Sequence, residues 1–84
     1  MKKTSEATKA RNVIGSRVRM ARVRCSPAVS QDNLAGRLAA LHITMDRSAV
    51  SRIENGTQYV MDYEAAAIAR SLKVTVASLF GEID

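Results

Sequence analysis

The sequence predicts an all-α domain, a compact five-helix bundle, on three grounds. Apolar residues recur at spacings of three and four along most of the chain. The strict alternation of a half-buried strand persists nowhere. The polar or glycine-containing breaks between stripes are short enough to join helices around one core. At 84 residues the chain forms a single domain just large enough to fold without staples.

Residues 1–11 carry several lysines and few apolar side chains, so this basic segment is expected to be disordered when free. It is either a phosphate-contacting arm built on Lys2, Lys3, Lys9 and Arg11 or a solvated tail. The domain proper spans 12–81, followed by a short tail, 82–84. In the first helix Ile14, Val18, Ala21 and Cys25 make one apolar stripe, with Asn12 as its cap and Pro27 closing it. Cys25 reads as core filler, and a single cysteine excludes an internal disulfide, which suits a reducing cytoplasm.

Ser30 is placed to cap the second helix, with Asp32 in the first turn and Val29 as a staple from outside. Leu34, Leu38 and Leu41 stack inward, while Ala35 and Ala39 allow close approach. His42 has no cysteine or histidine companions at ligand spacing and reads as a structural residue, so no metal or other cofactor is expected. Asp46 caps a third helix that Gly56 ends in the left-handed conformation. Within it Val50 and Ile53 point inward, and Arg47, Ser48, Ser51 and Arg52 occupy the other side. A helix this short must be docked by its apolar edge. After Gly56, Tyr59 and Val60 are expected to cover the bundle edge. Asp62 caps a fourth helix to about Leu72, with Ala65, Ile68, Ala69 and Leu72 inward. Thr75 caps a last short helix near Phe80, whose Val76, Leu79 and Phe80 would close the core.

Charge is uneven. In residues 1–24 eight basic groups face Glu6 alone, giving +7, and the remainder carries five basic and seven acidic groups, giving −2 and the net +5. That asymmetry favours an oriented approach to a polyanion, although a solvated tail beside an ordinary helix face would look the same. No run is long enough to cross a membrane, so a cytoplasmic protein is expected. With one His, a Cys on an apolar stripe, and neither paired carboxylates nor a glycine-rich phosphate loop, enzymatic activity is not expected.

Ser30-Gln31-Asp32-Asn33-Leu34-Ala35, then Ser48-Ala49-Val50-Ser51-Arg52-Ile53-Glu54-Asn55-Gly56, then Ala69-Arg70-Ser71-Leu72-Lys73-Val74 resembles the lambda-repressor-like helix-turn-helix family, of the Cro and phage-repressor (XRE) type. The likeness covers about Ile14 to Gly81. It implies that the third helix enters the DNA major groove while the second crosses the backbone. Arg47, Ser48 and Arg52 match the family's base-reading positions, with Ser51 beside them. Ser30, Gln31 and Asn55 match phosphate-bonding positions, with Thr57 and Gln58 in the adjacent loop. Arg22 and Glu54 match a structural ion pair. The chain departs from the family at Ser26 to Ala28, which lengthens the first connection, and between the second and third helices, where Thr44 replaces a common glycine. The second helix is therefore expected to extend through Leu41 or His42.

The resemblance implies a transcriptional regulator, most simply a repressor, bound as a homodimer to a palindromic double-stranded operator and nucleoid-associated when bound. The same fold could instead serve as an antitoxin masking a toxin or as a protein-interaction adaptor. Nonspecific nucleic-acid packaging is a third expectation, marked by a steep salt slope without sequence preference.

Overall fold

The computed structural model describes residues 10–82, within which there are five helices and no strand. They are α1 (Gly15–Arg24), α2 (Gln31–Ala40), α3 (Arg47–Glu54), α4 (Asp62–Leu72) and α5 (Val76–Leu79). No helix of the described residues is long and apolar enough to cross a membrane. α3 packs on α1 and α2, α4 packs on α2, and α5 folds back against α4 and α1.

The inward stripes meet as their spacing predicts except at the end of the second, where Leu41 is only half-buried and Ala39 is exposed because the chain is already leaving the helix. Ile14 and Val18 of the first stripe, Leu34 and Leu38 of the second, Val50 and Ile53 of α3, and Ile68 and Leu72 of α4 form one buried cluster with Leu79. Each such side chain contributes roughly 1.5–3 kcal/mol on leaving water, which is how an eight-residue α3, marginal alone, is held. The expectation for the last stripe is corrected: Leu79 is buried, but Val76 and Phe80 are each 44% exposed. A four-residue helix has only one side to turn inward, and Leu79 takes it. Tyr59 is likewise exposed instead of covering the edge, and Val60 packs there without it.

Local chemistry sets the starts of the helices. Ser30 Oγ accepts from the Asn33 amide at 2.9 Å, Asp46 Oδ1 from Ala49 at 2.9 Å, and Thr75 Oγ1 from Ser78 at 3.0 Å, each satisfying an amide without an intrahelical partner. Asn12 Oδ1 accepts from Ile14 and Gly15 at 3.0 and 2.8 Å. α4 departs from expectation: Met61 is the N-cap and Asp62 the first helical residue. Glu64 supplies the side-chain bond instead, accepting from the Met61 amide at 2.8 Å.

The other ends share one device. α2, α3, α4 and α5 each finish on a left-handed residue, His42 (φ 66°), Gly56 (φ 79°), Lys73 (φ 58°) and Gly81 (φ 81°). In every case that residue's amide reaches back three residues and the next amide reaches back five, as with His42 to Ala39 and Ile43 to Leu38, both 2.9 Å. This is the Schellman closure, which satisfies carbonyls the helix leaves open. It also corrects the length expected of α2, which ends at Ala40 because His42 has already turned left-handed. Residues 41–46 then form the connection to α3. α1 ends differently, with the Arg22 carbonyl accepting from both Cys25 and Val29 around a cis Ser26–Pro27 peptide.

Candidate nucleic-acid interface

α3 has two unlike sides. Val50 and Ile53 are each 1% exposed and Ala49 is buried with them, whereas Arg47, Ser48 and Arg52 face solvent and Ser51 is half-buried between them. Apolar residues fill the interior side because its neighbours are Leu34, Leu38, Ile14 and Val18. The outer side is left with two guanidinium groups and two hydroxyls, donors that match guanine edges and phosphates. Asp46 makes its capping bond and remains exposed at the entry to α3.

Arg52 is held in place by its surroundings. Its Nε donates to Gln58 Oε1 at 2.7 Å, which fixes the side chain while leaving the terminal nitrogens for a bidentate contact. Its carbonyl accepts from the Thr57 amide and hydroxyl at 2.9 and 3.2 Å. Thr57 therefore differs from the expected phosphate donor: its amide is spent on closing α3, and its hydroxyl hydrogen points to the Arg52 carbonyl. The Arg47 side chain is exposed at the start of α3 and the Asn55 side chain is exposed at its end.

Beneath α3 lies a polar node. Arg22 Nε and its neighbouring nitrogen donate to the two Glu54 oxygens at 2.7 and 2.9 Å, and the third guanidinium nitrogen donates to the Val29 carbonyl at 3.0 Å. The side chains are only 13% and 3% exposed. The hydrogen bond to Glu54, with that carboxylate's charge, holds the Arg22 pKa above its ordinary value against the lowering effect of burial. Gln31 Nε2 donates to Glu54 Oε1 at 3.0 Å. This changes the part expected of Gln31, since one amide hydrogen is committed to the interior and one is left for a phosphate. Ser30 spends its oxygen on the cap and keeps its hydroxyl hydrogen.

The chain just before α1 is clasped to the end of α3. Asn12 Nδ2 donates to the carbonyls of Ile53 and Gln58 at 3.1 and 2.8 Å, and the Arg11 amide donates to Gly56 at 2.8 Å. Arg11 thus belongs to the ordered domain, and its guanidinium lies 5.3 Å from the centre of the exposed Tyr59 ring, within cation–π range. Lys2, Lys3 and Lys9, the rest of the proposed arm, lie outside the described residues.

Two contributors were missed in the sequence. A Cβ at Gly15 would run into the backbone carbonyls of Ile53 and Glu54, so the glycine permits the approach of α1 to the end of α3; a glycine inside a helix is the signal for such an approach. Asn12 announced itself as a cap, but its two bonds to α3 and its loop span 41 and 46 residues, a distance over which no local pattern informs.

Comparison of the chain with protein-family models, with curated proteins and with solved structures yields no match.

Proposed function

We propose that this protein is a sequence-specific double-stranded-DNA-binding regulator of the lambda-repressor-like helix-turn-helix kind, most simply a repressor, reading the major groove with α3. The observation that carries this reading is the division of α3, with Val50 and Ile53 sealed into the core and Arg47, Ser48 and Arg52 presented together on the outside. In this reading Arg47, Ser48, Ser51 and Arg52 contact base edges. Ser30, the free hydrogen of Gln31, and the Asn55 and Gln58 side chains bond phosphates on either side. The Arg22–Glu54 pair orients Gln31 and fixes α3 on α1. Arg11 and the lysines before it add sequence-independent attraction. One α3 touches too few bases for useful specificity, so a homodimer on a palindromic operator follows. The setting would be the cytoplasm, at the nucleoid.

The test is selection from a random-sequence duplex library at defined salt. Enrichment of a palindrome is expected, and Arg52→Ala should weaken binding to it by roughly 1–3 kcal/mol while relaxing preference at one position. Enrichment of nothing, or an equal loss on all sequences from both Arg47→Ala and Arg52→Ala, would refute base reading by α3. An antitoxin or adaptor would then be the better reading.

A further inference from the structure

A groove of about 770 Å³ lies between α1 and the turn joining α4 to α5. Met20, Ala21, Leu72, Val74 and Leu79 give it an apolar floor, and Arg17, Arg24 and Lys73 are the charged residues of its lining among those described. Met20, 51% exposed, is a flexible side chain of the kind that moulds to a partner. The hydroxyls at the α5 edge are already used: Thr75 caps Ser78, and Ser78 Oγ donates to the Thr75 carbonyl at 2.8 Å.

The cations select the occupant. Arg17 and Arg24 are seven residues apart on α1, about 10 Å along the axis, with Met20 between them, and Lys73 belongs to the opposite bank. A small amphiphile carries one anionic head and cannot reach both arginines. A second copy docked about a twofold axis through the groove would set this cationic rim against itself. An acidic helix with carboxylates two turns apart and an apolar stripe between them answers the whole pattern. We infer that the groove docks an acidic amphipathic helix of a partner protein, its apolar stripe on Met20 and Val74 and its carboxylates toward Arg17, Arg24 and Lys73.

The placement makes this a second surface. At the helical repeat, Gly15 and Arg22, which meet α3, lie on roughly the opposite side of α1 from Arg17, Met20 and Arg24. The docked helix therefore leaves α3 uncovered, and the inference does not depend on what α3 binds.

The experiment titrates the full ¹⁵N-labelled chain with two synthetic helical peptides of about 18 residues, long enough for partial helicity. They share a leucine stripe, flanked by glutamates in one and by lysines in the other. The glutamate peptide is expected to bind and shift the amides of Arg17, Met20, Arg24, Val74 and Leu79, with the same shifts when excess random duplex is present. Arg24→Glu, at an exposed position, should weaken it about five- to tenfold. Absence of binding, equal binding of the lysine peptide, shifts confined to α3, or indifference to Arg24→Glu would overturn the inference. So would sodium dodecanoate producing the same shifts and displacing the peptide, which would assign the groove to a small amphiphile.

Discussion

A methyl group at Gly15 would have no space, because the obstructing atoms are backbone carbonyls of Ile53 and Glu54 that cannot rotate aside. Gly15→Ala is expected to cost about 2–3 kcal/mol in urea denaturation, in the range of overpacked cores, despite alanine's better helix propensity; a stabilised variant would mean that α1 and α3 do not approach as described. Glu54 sits at the opposite extreme of polarity with a similar burden, since its removal leaves the mostly buried Arg22 guanidinium without a counter-charge and with only the Val29 carbonyl as partner among the described residues. Glu54→Ala should destabilise by about 3–5 kcal/mol. The sign of its pH dependence follows from Arg22. A folded pKa raised above the unfolded value gives stability that is complete below the unfolded pKa and is lost only as pH climbs through the folded one. The arginine side of the pair thus does not titrate in the neutral or mildly alkaline range, and the difference between wild type and Glu54→Ala should be the same at pH 7 and at about pH 10. His42 offers the contrary case, an L-residue at φ 66°. Relief of that conformation, less the entropy of glycine, should make His42→Gly more stable by about 0.5–1 kcal/mol, read as a rise in the urea midpoint.

Among the elements, α3 was the most legible in the sequence, and α5 the least. Asp46, Val50, Ile53 and Gly56 announce a capped, two-sided, terminated helix, each about one turn from the next, and local chemistry decides all four. Val76 and Phe80 carry no comparable signal, because whether an apolar residue at the end of a bundle faces in depends on what lies across from it. The same division runs through the candidate site. Outward-facing Arg47 and Arg52 follow from helical period, whereas the commitment of Gln31 to Glu54 and of Thr57 to the Arg52 carbonyl depends on tertiary placement. Gln58 is the element-scale test of preorganisation. Because it grips Arg52 Nε at 2.7 Å, Gln58→Ala should, on the proposed reading, cost duplex affinity by about 0.5–1.5 kcal/mol, the worth of a hydrogen bond, with little further loss when Arg52 is already alanine. A fully additive double mutant would separate the two residues.

For the molecule as a whole, the charge partition between residues 1–24 and the rest acquires a direction from the Asn12 clasp. Arg11 and Asn12 are tied to Gly56 and Gln58, so the basic segment joins the domain beside the end of α3. Replacing Lys2, Lys3 and Lys9 with glutamine should weaken binding to specific and random duplex alike and reduce the slope of log K against log salt by about one for each phosphate no longer neutralised. An unchanged slope would leave those lysines without a part in DNA attraction.

The clasp also bears on how the protein is handled. A chain joined directly to Ala10 would start beside the Asn12–Gln58 bond and the Arg11–Tyr59 contact, so on the proposed reading a purification handle placed there would crowd the duplex. One attached directly after Glu82 would begin just beyond α5, which packs on α4 and α1. On the same reading a fluorophore carried by the forward position should report duplex binding through a change in its own emission.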